Sequence, residues 1–188
     1  MRTRCADVER ASRSVERRLI AVGRPVEARL VPTGTSITIP DGVFVTLTQA
    51  LGGTYTVVYK GNMARIEAEN ADALGFEPEV LAFEPPSDGR ISSDQVWQAL
   101  RTIHDPEIPV NVVDLGLIYD VAIARDQVDI TMTLTAPGCG MGPVLVKDVE
   151  ERVSKVPHVQ QVAVDLVFDP PWSRDLMSEE AQLELGLF

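Results

Sequence analysis

Residues 76–92, FEPEVLAFEPPSDGRIS, split the chain into two stretches with different rhythms. The segment holds Pro78, Pro85, Pro86 and the turn pair Asp88-Gly89. Prolines lack an N–H and fix φ, and Asp-Gly favours a turn, so neither a helix nor a ladder runs through it. Before it, residues 43–48 (VFVTLT) and 55–59 (YTVVY) are rich in β-branched and aromatic side chains. Gly52-Gly53 and Gly61-Asn62 stand between such runs, where a tight hairpin needs residues tolerant of positive φ. Residues 63–68 alternate Met63, Arg65 and Glu67 against Ala64, Ile66 and Ala68. The expected organisation is a basic N-terminal segment (1–25), a small antiparallel β domain (26–75) and a linker (76–91).

The second stretch changes period. Ser92 is placed to cap a helix, with Gln95 three residues on to return the bond, and Val96, Leu100 and Ile103 follow at helical spacing. After a polar loop, Leu117, Tyr119, Val121 and Ile123 predict one side of a strand. Val128, Ile130, Met132 and Leu134 predict a second. A helix is expected from about Val144, with Leu145, Val149, Val153 and Val156 inward and Pro157 as its stop. Val162, Val164, Leu166 and Phe168 predict a third strand, and Ser178 caps a last short helix. The order α-β-β-α-β spans 92–175, with a C-terminal helix in 176–188. The first two strands suit a hairpin; the second and third, joined by a helix, suit a right-handed parallel crossover. The fold class is therefore α+β: a three-stranded mixed sheet covered by helices, preceded by the β domain.

Charge is unevenly distributed. Residues 1–29 carry eight Arg and four acids, whereas the whole chain has a net charge of −11. An acidic body repels nucleic acid and anionic membranes, and neither is an expected partner. No stretch is long and apolar enough to span a bilayer, and the Arg-, Asp- and Glu-bearing start lacks the apolar run of a secretory signal. Two widely separated cysteines, Cys5 and Cys139, make no disulfide framework, so a cytoplasmic location is expected.

Cys139 is the most informative residue. It lies in APGCGMGP, between a predicted strand end and a predicted helix start, with glycines at 138, 140 and 142. Free N–H groups at a helix N-terminus favour thiolate over thiol, and thiolate is the form that binds soft metals or attacks electrophiles. The glycines leave room around the sulfur. A buried cysteine acting as a small hydrophobe is the plainer alternative. No Gly-Lys-Ser/Thr occurs, so no nucleotide is expected. His104, Asp105, Glu107 and Asp114 form a polar loop that could supply ligands or protons around the thiol, or simply bond the backbone of their own turns. Thr133 and Thr135 flank the strand end, where their hydroxyls could bond a thiolate or merely serve β-propensity.

Four motifs, taken in order, resemble a known family. Asp105-Pro106-Glu107, Asp114-Leu115-Gly116-Leu117, Thr135-Ala136-Pro137-Gly138-Cys139 and Pro170-Pro171-Trp172 look like those of the iron–sulfur cluster assembly domain shared with PaaD-like proteins. Residues 51–57 (LGGTYTV), 61–66 (GNMARI), 177–181 and Leu185-Gly186 are similar to SufT proteins. The resemblance implies an accessory, non-enzymatic role in assembling clusters or transferring them to client apoproteins. It puts the family's functional cysteine on Cys139, read here as metal-binding, and its acid on Asp105; Glu107, Asp114, Thr133, Thr135, Gly138 and Gly140, read above from their places in the loop and the glycine turn, complete the expected supporting set. A lone thiol implies transient binding of iron or an iron–sulfur cluster, shared with a second subunit of a homodimer or with a client. A metal-free adaptor that recruits clients is the second reading; Cys139 as a nucleophile with His104 as base is the third.

Overall fold

The computed structural model describes residues 17–78, 81–105, 108–138 and 140–187. Among these residues the strands form two sheets. β1 (Arg18–Ala21), β2 (Val26–Leu30), β3 (Ser36–Ile39), β4 (Phe44–Leu51), β5 (Thr54–Tyr59) and β6 (Asn62–Glu67) assemble in the order β1-β4-β5-β6-β2-β3. Every pairing is antiparallel. The sheet begins ahead of residue 26, since β1 lies inside the stretch read as a basic tail. Ile20 packs on the core while Leu19 stays exposed. Arginine does not bar an edge strand, where charge discourages pairing with other chains.

Two-residue turns close the central meander. Gly52 and Gly53 both have positive φ, at 58° and 73°, as a twist-matched hairpin requires. The next turn uses Lys60 and Gly61 (φ 49° and 81°) rather than Gly61-Asn62, because Asn62 already pairs with Tyr59 as the first residue of β6. Val26, Ile39, Val45, Leu47, Val57 and Ile66 are buried together. A 3-10 segment, Ala68–Leu74, closes over them with Ala71 and Leu74.

The second half contains α1 (Ser93–Arg101), β7 (Ile118–Ala124), β8 (Gln127–Met132), α2 (Gly142–Val153), β9 (Gln161–Leu166) and α3 (Glu179–Glu184). β7 pairs antiparallel with β8, and β8 parallel with β9. This is the expected mixed sheet. Val96 and Leu100 of α1 and Leu145, Val149 and Val153 of α2 are buried in one core with Val128, Ile130 and Met132 of the central strand. Ser92 Oγ caps α1 by accepting from Gln95 N (3.4 Å), but the Gln95 side chain turns away and donates to the Glu84 carbonyl (2.8 Å). Only half of the capping box forms.

Two local expectations fail. The β7 register shifts between Ile118 and Asp120, so Tyr119 leaves the predicted alternation and its hydroxyl donates to the Pro170 carbonyl (2.9 Å). α2 ends at Val153, a turn before Pro157, and Val156 is buried from the turn that follows.

The halves meet along α2 and the loop after α1. Gln49 Nε2 donates to the Asp105 carbonyl (3.0 Å). Arg29 Nη1 reaches Glu151 (3.2 Å), and Lys155 Nζ reaches Glu69 (2.9 Å). Gly52 sits so close to the end of α1 that an added Cβ would fall 1.8 Å from the Thr102 carbonyl oxygen.

Candidate functional site

The sheet brings the predicted residues to one end. β8 finishes at Met132, which pairs with Ile118 at the start of β7 and with Leu166 at the end of β9. The polar loop enters the sheet there and the glycine-rich turn leaves it there. Thr133 N donates to the Leu117 carbonyl (2.8 Å), tying turn to loop. α2 starts at Gly142 with Pro143 in its first turn, and its N-cap, Met141, offers no side-chain bond. Its leading N–H groups are left without a capping side chain.

The individual residues divide. Asp105 is buried, and its Oδ1 accepts from Ile108 N (3.1 Å). Asp114 Oδ2 accepts from Asn111 Nδ2 (2.5 Å), and its carbonyl accepts from Ser178 N (2.8 Å). Both carboxylates thus brace the loop itself. Thr133 is fully buried, and its Oγ1 has no hydrogen-bond partner among the described residues. Thr135 is half-buried, whereas Gly138 and Gly140 are exposed. Gly138 adopts a φ of 82°, which favours glycine. A Cβ on Gly140 would meet the ring of Pro32, from the other half, at 3.6 Å. Cys139, Glu107 and Cys5 lie outside the described residues.

His104 is half-buried. Its Nδ1 lies 3.2 Å from the Thr102 carbonyl, which can only accept, so Nδ1 carries the proton. Burial pushes its pKa below the ordinary histidine range, and the Thr102 carbonyl only partly offsets this. The ring is neutral at pH 7, wedged beside Gly52.

A second group of polar residues lies between the halves. Arg65 of β6 and Asp148 and Arg152 of α2 are only 4%, 5% and 7% exposed. Arg65 Nη1 donates to Asp148 Oδ2 in a short ion pair. Arg65 Nε stands 3.6 Å from Glu67 Oε1, and Arg152 Nη2 3.9 Å from Glu67 Oε2. Burial raises the Asp148 pKa to about 6, against the pull of Arg65. The folded form therefore holds this proton more tightly than the unfolded chain, whose value is near 3.8. The resulting stabilisation is complete below pH 3.8 and is lost as pH rises through about 6. Relative to Asp148→Asn, the wild type should gain about 2 kcal/mol between pH 7 and pH 4, read from urea unfolding at both values. Parallel pH dependences in the two proteins would refute this.

Comparison with known proteins supplies the family. Residues 93–166 match the model of an iron–sulfur cluster assembly protein family. The chain is 51% identical over 96 residues to an Fe-S protein maturation auxiliary factor of Porphyromonas gingivalis, covering 50% of this chain and 91% of that one. It is 41% identical over 95 residues to the Fe-S protein maturation auxiliary factor YitW of Bacillus subtilis, covering 50% and 93%. It is 39% identical over 84 residues to the factor SufT of Staphylococcus aureus, covering 44% and 96%. The chain belongs to the SufT-like family of Fe-S protein maturation auxiliary factors.

The stretch 93–166 that matches the iron–sulfur cluster assembly family contains Asp105, Asp114, Thr133, Thr135 and Cys139. Arg65 and Glu67 lie before it, yet they face Asp148 and Arg152 within it. Sequence reasoning missed this ionic cluster. The sequence offered little signal: Arg65 shares its side of the strand with Met63 and Glu67, which reads as a solvated face, and Asp148 and Arg152 stand one turn apart on α2. Nothing local says that one surface covers the other.

Proposed function

We propose that the chain is an accessory factor that helps assemble iron–sulfur clusters or transfer them to client proteins. In this reading the cargo, a cluster or iron, is held transiently through the Cys139 thiolate. The observation that carries it is the 51% identity over 96 residues to an Fe-S protein maturation auxiliary factor. The chemistry is compatible. α2 begins three residues after Cys139 with no capping side chain, so its leading N–H groups favour negative charge nearby. Clusters usually take four protein ligands, mostly thiolates. The matched stretch holds one cysteine, so the remaining ligands come from a client, from assembly partners or from a second copy of the chain. An incomplete ligand set suits a carrier, because the cargo must leave again. No helix of the described residues is long and apolar enough to cross a membrane; work in the cytoplasm completes the proposal.

The test is anaerobic reconstitution with iron and sulfide, followed by absorption spectroscopy and metal analysis. Wild type should take up both, and Cys139→Ala should fall to the level of a blank. Equal uptake by the two proteins would remove direct ligation. Client capture that persists both with a chelator and in Cys139→Ala would replace the carrier with a metal-free adaptor.

A further inference from the structure

Four strands end the two sheets: β1 and β3 in one, β7 and β9 in the other. An open edge offers unpaired N–H and C=O groups to any extended chain, and folds blunt it with brevity, charge, proline or a bulge. β1 and β3 have four residues each; Arg18 opens the first and Pro40 follows the second. β7 is broken by the register shift between Ile118 and Asp120. β9 has none of these devices. Its six residues, Gln161–Leu166, pair with β8 in unbroken parallel register, and residues 161–168 contain no Lys, Arg or Pro. Gln161 N donates to the Asp126 carbonyl and Val167 N to the Met132 carbonyl, so the odd-numbered residues bond inward. Backbone direction alternates along a strand, which turns the N–H and C=O groups of Val162, Val164 and Leu166 to the open edge. A Cβ on Gly142 would meet Leu166 Cδ2 at 3.8 Å, so this edge ends beside the start of α2.

The two faces beside this edge differ in chemistry. On the helix side Val162 and Val164 pack half-buried against the core, whereas Leu166 is 36% exposed and Phe168, just past the strand, 41%. The opposite face is open to solvent: Asp120, Ala163 and Asp165 are exposed and Asp129 is half-buried. These three aspartates make no ion pair among the described residues. The register sets Ala163 beside Asp129 and Asp165 beside Thr131. A strand added to β9, about 4.8 Å away, would therefore lay one row of side chains against Leu166 and the other beside Asp165. The first row suits apolar residues and the second suits cations. We infer that the β9 edge docks an extended segment of a partner protein in which apolar residues alternate with Lys or Arg. Charge argues against a second copy as the occupant, because pairing β9 with itself would bring Asp165 towards its own duplicate on a chain of net charge −11. The inference stands whether or not Cys139 holds a metal.

The test is an NMR and amide hydrogen-exchange titration of the full chain with an end-blocked peptide of alternating valine and lysine, about nine residues long. Saturable shifts grouped on β9, with exchange at Val162, Val164 and Leu166 slowed at least about tenfold, are the expected result. A peptide alternating valine and glutamate should not bind, nor should the lysine peptide N-methylated at alternate residues, which cannot form a ladder. Val164→Pro removes one outward N–H and leaves the bonds to β8 in place. It should weaken binding at least about tenfold with the melting temperature preserved. Asp165→Lys, on the open face, should invert the preference so that the glutamate peptide binds more tightly than the lysine peptide. The proposal is overturned by the absence of saturable shifts on β9 up to about 1 mM peptide. Equal binding of the lysine and glutamate peptides, or undiminished binding by the N-methylated peptide, would also overturn it. So would slow exchange of the three amides before any peptide is added, which would give the edge to another part of the chain or, where it grows with protein concentration, to a second copy.

Discussion

Arg65→Met is expected to lower the free energy of unfolding at neutral pH by about 3–5 kcal/mol. The reason is what remains behind. Asp148 is 5% exposed and would keep its desolvation cost while losing the guanidinium that offsets it. Breaking one side of a buried pair costs far more than the pair contributes net. For a chain of this size the melting temperature should fall by roughly 6–20 °C. The double variant Arg65→Met/Asp148→Leu separates this cause from lost packing, because replacing both partners with apolar groups of similar volume is often neutral. It should recover most of the loss in urea unfolding. A double variant as unstable as the single one would mean that the methylenes of Arg65, not its charge, hold the halves together.

Gly52→Ala should cost about 3 kcal/mol or more, although it adds one methyl. Two penalties coincide at this position. The backbone has φ of 58°, which disfavours any residue with a Cβ by roughly 1–2 kcal/mol. The Cβ would also lie 1.8 Å from the Thr102 carbonyl oxygen and 2.7 Å from His104 Nδ1. A backbone carbonyl cannot swing away, so the β4–β5 turn must lift from the end of α1. The bond from Gln49 to the Asp105 carbonyl goes with it. Gly42→Ala is the matched control: its φ is 70°, but nothing lies within 4 Å of the added carbon. It should lose only the conformational part, about 1–2 kcal/mol. Urea midpoints of the three proteins decide, and equal losses at positions 42 and 52 would contradict the contact argument.

The mixed sheet and its helices could be read in advance because each element advertises itself locally. Val128, Ile130 and Met132 alternate, Leu145, Val149 and Val153 repeat at helical spacing, and all six are buried. The Gly52-Gly53 hairpin was legible for the same reason. What escaped reading depends on partners distant in sequence. β1 is a strand because β4 pairs with it, as in Ile20 with Val45, while its arginine-rich surroundings look like a solvated tail. Arg65 is buried because α2, more than eighty positions away, covers it. The candidate site was half visible. The loop and the glycine turn do share one end of the sheet, as the strand order requires. The carboxylates of Asp105 and Asp114, however, are occupied by Ile108 N and Asn111 within that same loop.

The placement of the Pro32 ring where a side chain on Gly140 would meet it has a consequence for docking geometry. A visiting protein that approaches the glycine turn finds one flank already walled by a reverse turn borrowed from the other half of the chain. Its footprint must straddle both halves or come in from the opposite flank. Variation in residues 31–34 can therefore reshape which visitors fit, while every residue of the assembly domain stays the same.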